Sequence, residues 1–375
     1  MHREAIRPRV HVLGLGSIGG FIAGSLAEAP GKTPPQVTLL FHRRSLLNDF
    51  IDNGCKLRLG TLDGEVRSSG NFDVEVLEDG LEHRWVTTEE ADSNIILNPR
   101  READDIIDYL IITVKAVQTV SALRPLKHRI DFSTTILFLQ NGCGTIDEVN
   151  KQLFPHPSTR PTQLIGVISH GVTLNSPFDV SHTGAAATSV GIVPRAGVLG
   201  DRPRSEMLDE MEEKASYLLD LLPQIPRLNA TAYSFLGVFQ MQLEKLAVNS
   251  FCNPLCALAD SINKYLFSIP EIRRDLLSEI SRVILALPEL KGVEGVEDRF
   301  STDKLEATVM AILTKTADGL CSLVVDLRQG RQTEVEFING YWVRRGKEVG
   351  VPTPLNEDLV RQVTARAKRG GSKTQ

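Results

Sequence analysis

The chain has 375 residues, of which 42% are hydrophobic and 24% are charged. This length exceeds what one compact core usually reaches, so we expect two domains, and the apolar fraction excludes intrinsic disorder as the main state. The formal net charge of −5 gives no general attraction to nucleic acid or to anionic membranes. No stretch reaches about 18 uninterrupted apolar residues, so a transmembrane helix is not expected.

The five cysteines are odd in number and scattered along the chain: Cys55, Cys143, Cys252, Cys256 and Cys321. None forms a CxxC pair, so the sequence predicts neither a disulfide framework nor a metal site, and free cysteines suit a reducing compartment such as the cytoplasm. The first nine residues contain three arginines but no apolar segment, so they do not resemble a secretory signal. These arginines are too few to argue for organelle import, which is kept as the alternative location.

The first predicted strand, residues 10–13, leads directly into a glycine-rich loop. The loop sequence, Gly14-Leu15-Gly16-Ser17-Ile18-Gly19, matches GxGxxG, and a helical pattern (17–29) and a second strand (37–41) follow it. In this context the first glycine permits a tight turn, the second lets backbone approach a pyrophosphate, and the third lets helix and strand pack closely. We therefore predict that these six residues bind a dinucleotide, although a glycine-rich turn without a ligand would have the same sequence.

The end of the second strand indicates which dinucleotide binds. NAD sites usually have an acidic residue there for the ribose 2′-hydroxyl, whereas this strand ends in Leu40-Phe41-His42-Arg43-Arg44. An arginine can bind a 2′-phosphate through forked, charge-assisted hydrogen bonds, and no acidic residue is present to repel it. The sequence therefore predicts NADP(H) as the cofactor. Arg43 is predicted to bind its 2′-phosphate, and Arg44 is the alternative. Two exposed arginines on a solvated loop would have the same pattern.

Strands and helices alternate through the rest of the first half. Residues 45–107 indicate an excursion of short strands and turns. Buried strands are predicted at 109–114, 136–139 and 164–168, with a hairpin at 180–192 that turns near Gly184. This alternation is typical of a mostly parallel sheet covered on both faces. We predict an α/β, Rossmann-type domain at residues 1–228.

The pattern becomes helical in the second half. From residue 234 onward, apolar residues recur at steps of three and four, and further helical stretches are predicted at 303–328 and 333–349. The last ten residues are polar and predict a solvated tail. We predict an all-α domain at residues 229–375.

Three polar clusters are candidates for the chemistry. Lys115 and Asn141 each follow a predicted buried strand, where a doubly wound sheet binds its ligands. Lys245, Asn249 and Asn253 are spaced four apart and therefore lie on one helix face. A charge and two amides on one stripe would be costly in a dry core and fit the wall of a polar site better. Considered alone, Lys115 could be solvated and Asn253 could mark a helix end before a proline.

Five motifs make the sequence resemble the 2-dehydropantoate 2-reductase (ketopantoate reductase) family. They are the glycine loop, VKAVQ at 114–118, QNGCGT at 140–145, EKLAVNSFCNPLCAL at 244–258 and SLVVDLRQGRQTEVEFINGYWVRRGKEVGVPTP at 322–354. They occur in the family's order and span almost the whole chain. The last two are the specific ones, because the glycine loop alone also occurs in other dehydrogenases.

The resemblance implies a role for each matching residue. Lys245 matches the family's general acid, and Glu334 matches a glutamate that contacts the ligands, the cofactor included, and supports catalysis. The other cofactor-side matches are Arg43, Lys115, Gln118 and Asn141, and the substrate-side matches are Asn141, Lys245, Asn249, Asn253 and Ser322. Asp326 and Asn339 match recurring positions that we interpret as fold-stabilising.

The resemblance also implies a fold and a reaction. The fold is the 6-phosphogluconate-dehydrogenase-like architecture, a Rossmann-type domain followed by an all-α domain. The reaction is the NADPH-dependent reduction of 2-dehydropantoate to (R)-pantoate, a step toward pantothenate and coenzyme A, by a monomer or homodimer whose partner is a small 2-oxo acid. A reductase of another 2-oxo acid and a catalytically silent binding relative are the alternatives. Segments 90–105 and 195–205 are predicted insertions relative to shorter members.

Overall fold

The computed structural model describes residues 7–31, 34–78, 84–91, 94–194, 214 and 216–371. The chain divides into two compact units: the first comprises the described residues of Met1–Val114, Gln118–Gln140 and Ile146–Val238, and the second those of Lys115–Val117, Asn141–Thr145 and Phe239–Gln375. Two short segments that follow strands of the first unit therefore belong to the second unit. Residues 1–6 and the predicted insertion at 195–205 lie outside the described residues.

The first unit contains the strands, which form two sheets. In chain order they are β1 (Arg9–Leu13), β2 (Gln36–Phe41), β3 (Leu57–Gly60), β4 (Val66–Ser69), β5 (Phe72–Leu77), β6 (Trp85–Ala91), β7 (Asn94–Glu102), β8 (Tyr109–Ile112), β9 (Thr135–Phe138), β10 (Thr162–Ile168), β11 (Gly171–Ser176), β12 (Asp179–Gly184), β13 (Thr188–Ile192) and β14 (Ala230–Ala232). Within the part of the chain that the structure describes, the large sheet has ten strands in the order β14-β13-β10-β9-β8-β1-β2-β5-β6-β7, and the small sheet has four, β11-β12-β3-β4.

The centre of the large sheet has the strand order of a doubly wound fold. Six adjacent strands, from β10 to β5, pair in parallel, and β8, β9 and β10 are buried along their whole length because their sequences are apolar runs. The chain runs from β1 through β2 to β5 and then returns to β8 on the other side of β1. Ligands of such sheets bind outside the carboxyl ends of the strands at this switch point. The predicted Rossmann-type fold is confirmed.

The hairpin predicted at residues 180–192 is wrong. β12 pairs with β11 in the small sheet, whereas β13 pairs with β10 in the large sheet. Both runs have strand-like composition, but alternation alone does not indicate which strand each one pairs with. The predicted insertion at 90–105 overlaps the antiparallel strands β6 and β7 at the edge of the large sheet.

The helices of the first unit cover the sheets. They are α1 (Ser17–Ala27), α2 (Arg44–Asp52), α3 (Thr119–Leu123), α4 (Thr145–Gln152), whose first residue belongs to the second unit, and α5 (216–221). α1 is buried along most of its length because its sequence, SIGGFIAGSLA, is almost entirely apolar or small. It packs in the same core cluster as β1 and the small sheet, and this packing fixes the direction of the glycine loop that precedes it.

The second unit is helical in its described residues. Its helices are α6 (Phe235–Ala259), α7 (Pro270–Ala286), α8 (Val296–Arg299), α9 (Thr302–Thr316), α10 (Ser322–Arg328), α11 (Asn339–Val349) and α12 (Pro354–Gly371). The boundary between the two units lies between Val238 and Phe239, in the first turn of α6. The sequence predicts this boundary after residue 228. Strand β14 lies between the two positions and pairs with β13. Among the described helices, none is both long and apolar enough to cross a membrane.

Two helical predictions in the second unit need correction. The stretch 303–328 contains two helices separated by a turn, and helix α11 begins at Asn339 after a short 3₁₀ turn at Val335–Phe337. The first part of the predicted solvated tail is helical, because α12 continues to Gly371, and Lys368 and Arg369 in it are exposed. Residues 372–375 lie outside the described residues.

A proline inside α6 explains one buried hydrogen bond. Pro254 lacks the N–H that would donate to the Ser250 carbonyl oxygen one turn earlier. The Asn339 side chain donates to that oxygen instead, at 2.9 Å, and also donates to Asn356 Oδ1 at 2.9 Å. Asn339 is fully buried. It therefore joins α6, α11 and α12, in agreement with its predicted role in the fold.

Candidate functional site

The glycine loop is built by two close backbone contacts. Gly14 has a φ of +102°, and a Cβ there would lie 2.5 Å from the Val114 backbone nitrogen. A Cβ on Gly19 would lie 1.7 Å from the Gly14 carbonyl oxygen, which also accepts a hydrogen bond from the Thr113 hydroxyl. Only glycine fits these two positions, so β1, the loop and α1 meet without side chains between them.

The middle glycine of the loop has a different environment. Gly16 is exposed and is the N-cap of α1, and a Cβ there would meet no atom within 4 Å. No side chain caps the helix at this position. The first N–H groups of a helix have no partner within it and favour an anion. The loop, with Leu15, Ser17 and Ile18 in the same turn, therefore fits the pyrophosphate of a dinucleotide.

The arginines predicted to select the cofactor follow β2. Arg43 is the extended N-cap of α2 and Arg44 is its first residue, and both are exposed. Because β1 and β2 are parallel neighbours, this segment and the glycine loop lie at the same edge of the sheet. Neither guanidinium has an ion-pair partner among the described residues. Partial burial and the Arg43 charge both lower the pKa of His42.

Lys115 forms an ion pair with Asp326 in the second unit. The Asp326 side chain is only 2% exposed, and Arg331 Nε lies 3.3 Å from the same carboxylate oxygen. Lys115 Nζ also lies 3.5 Å from the Gln332 carbonyl oxygen. Asp326, interpreted from the sequence as fold-stabilising, thus holds a residue predicted to lie on the cofactor side. Gln118, by contrast, is exposed in the first unit.

Glu334 is buried beside this ion pair. Its Oε1 accepts a hydrogen bond from the Ala116 backbone N–H at 2.9 Å, and the residue is 5% exposed. Burial raises the pKa of the Glu334 carboxyl, while the Ala116 hydrogen bond and the positive charges of Lys115 and Lys245 act in the opposite direction. The second unit therefore brings Lys115, Glu334 and Lys245 into one charged cluster.

Lys245 is a lysine whose pKa is strongly lowered. Burial lowers its pKa to about 8, and the negative charges available on Glu334 and Cys143 oppose this change. A lysine with a pKa near neutrality can both donate a proton and recover it from solvent at physiological pH. Such a perturbed group next to a buried carboxylate is typical of a catalytic site.

The adjacent Glu244 does not neutralise Lys245. Arg299 binds the Glu244 carboxylate with both arms of its guanidinium, Nε to Oε1 and Nη2 to Oε2, each at 2.8 Å. Arg299 Nη1 also donates to Gln240 Oε1 at 3.2 Å. Arg299 therefore neutralises the Glu244 carboxylate. The carboxylate whose charge raises the pKa of Lys245 is Glu334.

The segment 141–145 is fastened to the turn that carries Glu334. The Cys143 backbone N–H donates to the Phe337 carbonyl oxygen at 2.8 Å, and Gln242 Nε2 donates to the Gly142 carbonyl oxygen at 3.3 Å. Gly142 has a φ of +89°, and a Cβ there would lie 2.7 Å from the Phe337 carbonyl oxygen. The segment is thereby fixed in the second unit, and Asn141 is its first residue.

Two of the three predicted substrate amides, Asn249 and Asn253, share a helix with Lys245. Lys245, Asn249 and Asn253 occupy successive turns of α6. Asn253 is 6% exposed, and within the described residues the side chains of Asn141, Asn249 and Asn253 have no hydrogen-bond partner. Each of these amides can therefore donate to and accept from a ligand or water. Ser322, exposed at the start of α10, follows Cys321, whose sulfur lies 3.5 Å from the Asn253 carbonyl oxygen.

Sequence reasoning missed two contributions to this cluster. Cys143 is a buried thiol whose charge state acts on Lys245, although the sequence indicated only the amide and glycines of its motif. Asp326 was assigned to the fold, and its ion pair with Lys115 joins residues far apart in sequence. The sequence does place Asp326 inside an otherwise apolar helical segment. A buried carboxylate there needs a cationic partner, so this pattern could have predicted an ion pair.

Both halves of the chain are similar to proteins of one family. Residues 10–195 match the family described as "Ketopantoate reductase PanE/ApbA", and residues 238–367 match its C-terminal counterpart. The chain is 27% identical to a probable 2-dehydropantoate 2-reductase of Schizosaccharomyces pombe over 359 residues, 94% of each protein.

Two solved structures have the same fold. A PanE/ApbA family ketopantoate reductase from Ralstonia eutropha aligns with a TM-score of 0.69 and 20% identity, over 96% of this chain and 99% of that one. A D-mandelate dehydrogenase, solved with NADH and anilino(oxo)acetate, aligns with a TM-score of 0.65 and 18% identity over the same shares. Since the two family matches cover most of the sequence, the chain belongs to the ketopantoate reductase family of oxidoreductases.

Proposed function

We propose that the protein catalyses the NADPH-dependent reduction of 2-dehydropantoate to (R)-pantoate, a step toward pantothenate and coenzyme A. The observation that carries the proposal is the cluster of the second unit. It combines a lysine of pKa about 8, the buried Glu334 carboxylate and amide side chains on the lysine's own helix face. The carbonyl oxygen of a 2-oxo acid needs a proton donor of this kind when the carbonyl carbon receives a hydride. The carboxylate of the same substrate needs neutral or positive hydrogen-bond donors that orient it.

Lys245 supplies the proton in this mechanism. A nicotinamide cofactor held by the glycine loop would supply the hydride for the 2-oxo carbon. As negative charge develops on the carbonyl oxygen, the Lys245 ammonium stabilises it and then transfers a proton from Nζ to that oxygen. The ammonium acts more strongly on the alkoxide-like transition state than on the neutral ketone, so it accelerates the chemical step.

The remaining residues bind and orient. The amides of Asn141, Asn249 and Asn253 donate to the substrate's carboxylate and hydroxyl groups, and the Ser322 hydroxyl adds a donor. Glu334 keeps Lys245 protonated through its charge and contacts the ligands, the cofactor ribose included. The position of the Asn253 amide, buried on the lysine's helix face, supports this assignment.

The preference for NADP(H) forms part of the proposal. Gly14, Leu15, Gly16, Ser17, Ile18 and Gly19 would bind the pyrophosphate, and Lys115 and Gln118 would contact the cofactor. The exposed Arg43, at the carboxyl edge of the sheet, would bind the 2′-phosphate. The absence of an acidic residue directly after β2 supports NADP(H) over NAD.

A second candidate is the reduction of another 2-oxo acid on the same scaffold. The structural similarity to a D-mandelate dehydrogenase with NADH, at a TM-score of 0.65, favours it. A catalytically silent relative is disfavoured, because the chain retains Lys245, Glu334, Asn249, Asn253 and Ser322. The two reductase hypotheses differ only in substrate.

The test is NADPH oxidation at 340 nm with 2-dehydropantoate, 2-oxoisovalerate, pyruvate and phenylglyoxylate. We expect kcat/KM to be at least about tenfold higher for 2-dehydropantoate, which corresponds to one well-formed hydrogen bond to its hydroxyl. A higher kcat/KM for phenylglyoxylate would favour the second candidate. No turnover with any 2-oxo acid would contradict both.

The proposal also covers the cellular location and the oligomeric state of the protein. We place the enzyme in the reducing cytoplasm, supported by five free cysteines. Monomer and homodimer are both compatible with the proposed site, and light scattering of the full chain distinguishes them.

A further inference from the structure

Three cysteines lie together in the second unit, where α10 begins beside α6. Cys252 and Cys256 are one turn apart on α6, and Cys321 is the N-cap of α10. The Cys321 sulfur lies 3.5 Å from the carbonyl oxygen of Asn253, which is next to Cys252 and three residues before Cys256 on α6. Cys256 and Cys321 are close enough that each shifts the pKa of the other. The proposed reduction uses none of these thiols.

The three thiols have unequal reactivity. Cys321 is partly exposed, whereas Cys252 and Cys256 are buried. The interaction with Cys256 and the nearby backbone N–H groups of Val324 and Leu323 lower the pKa of Cys321, although burial opposes them. Burial raises the pKa of Cys252 to about 12. The interaction with Cys321 and burial both raise the pKa of Cys256. Of these three thiols, Cys321 is therefore the accessible one with the lowered pKa, and Cys256 is its buried neighbour with a raised pKa.

We propose that Cys321 and Cys256 form a peroxide-sensitive pair that closes to a disulfide between α10 and α6. The Cys321 thiolate attacks one oxygen of hydrogen peroxide, the O–O bond breaks, and the products are a Cys321 sulfenic acid and hydroxide, which takes up a proton to become water. The Cys256 sulfur then attacks the sulfenic sulfur, the S–O bond breaks, and the departing hydroxide takes the Cys256 proton as a second water. The two thiols lose two electrons, and the peroxide is reduced.

Disulfide formation would change the contacts of α6 next to the predicted substrate amides. In the reduced protein, the Cys256 sulfur lies 3.7 Å from the Ile262 carbonyl oxygen and 3.6 Å from Asn263 Oδ1. A disulfide needs the two sulfurs at about 2.05 Å, so Cys256 must move toward Cys321. The elements drawn together carry Asn253 and Ser322. This consequence rests on the proposed function and predicts a higher KM for the 2-oxo acid with unchanged NADPH affinity.

The experiment maps the disulfide in the full chain. The protein is treated with hydrogen peroxide, its remaining thiols are blocked with N-ethylmaleimide in denaturant, and tryptic peptides are analysed by mass spectrometry. We expect peptide 246–264 joined to peptide 316–328, with the loss of two hydrogens, and separation by dithiothreitol. Because peptide 246–264 contains both Cys252 and Cys256, Cys252→Ser is included and should still form the link.

Two variants and one control assign the order of events. Cys256→Ser should leave a Cys321 sulfenic acid that dimedone traps, and Cys321→Ser should leave Cys256 reduced. Cys55→Ser, which removes the partly buried thiol after α2 in the first unit, should behave as the wild type. The proposal is overturned if no link forms, or if the link is lost in Cys252→Ser and kept in Cys256→Ser. Mapping requires no substrate, so a protein that links these cysteines but does not reduce 2-dehydropantoate contradicts the proposed function alone.

Discussion

The Glu334 carboxylate accepts a hydrogen bond from the Ala116 backbone N–H at 2.9 Å. This contact joins the segment 115–117, which follows a strand of the large sheet, to the carboxylate whose charge acts on Lys245. Burial lowers the pKa of Lys245 and the Glu334 charge raises it. The proton affinity of the proposed catalytic lysine therefore depends on the charge of Glu334.

Replacing Glu334 with glutamine should move the pH profile of kcat to lower pH. The glutamine oxygen can still accept from Ala116, but the charge that keeps Lys245 protonated is lost, so the lysine pKa should fall further. The measurement is kcat for NADPH oxidation across pH 6–10 in the wild type and in Glu334→Gln. Glu336→Gln, in an exposed neighbour, is the control and should leave the profile in place. An unshifted Glu334→Gln profile would show that the two groups are not coupled.

In the wild type, reduction should slow as the pH rises through about 8. The ammonium form of Lys245 is the proton donor, and it is present below its pKa of about 8 and lost above it. We therefore expect kcat/KM for reduction, which reports the pKa values of the free enzyme, to be constant at lower pH and to fall about tenfold per unit at higher pH. The opposite direction, oxidation of (R)-pantoate, needs neutral Lys245 and should accelerate over the same interval. A reduction rate that rises from pH 8 to pH 10 is incompatible with this assignment.

Arg43 should determine the choice between the two nicotinamide dinucleotides. We expect Arg43→Ala to weaken NADPH binding at least about tenfold, the effect of one charge-assisted contact, and to leave NADH binding nearly unchanged. Fluorescence titration of both cofactors measures this difference. Arg44→Ala tests the neighbouring position, and Arg9→Ala, at the amino end of β1, is the matched control. Equal affinity of the wild type for NADPH and NADH would contradict the cofactor assignment.

Asn339 and Pro254 should be thermodynamically coupled. Asn339→Ala leaves the Ser250 carbonyl oxygen without its side-chain donor and should cost about 2–3 kcal/mol of unfolding free energy. In a Pro254→Ala background the new backbone N–H can donate to Ser250, so the same substitution should cost about 1 kcal/mol less. Urea unfolding of the four proteins of the cycle measures this coupling. Additive costs would mean that Asn339 does not compensate for the proline.

The sequence predicted the local parts of the fold well. The glycine loop, the first two parallel strands and the helical second half each follow from neighbouring residues, because strand runs, GxGxxG and helical spacing are local patterns. The pairing of β12 and β13 with different sheets could not be predicted in this way, since each strand's partner is distant in sequence. The true extent of α12 was missed because its last turns are polar on most sides.

The candidate site shows the same division between local and distant contacts. The stripe of Lys245, Asn249 and Asn253 was visible as a spacing of four. The ion pair between Lys115 and Asp326 and the capture of Glu244 by Arg299 join separate segments. A single sequence therefore indicates which side chains are unusual, and the tertiary structure determines which of them neutralise each other.

The central claim is that Lys245 is the proton donor, and the most direct measurement is the turnover of Lys245→Met with NADPH and 2-dehydropantoate. Methionine keeps the unbranched stem and removes the charge, so kcat should fall by about 10²- to 10⁴-fold with NADPH affinity little changed. The melting temperature should not fall, because burying the lysine ammonium is unfavourable, as its lowered pKa indicates. A folded Lys245→Met that turns over at more than about one tenth of the wild-type rate would contradict the account.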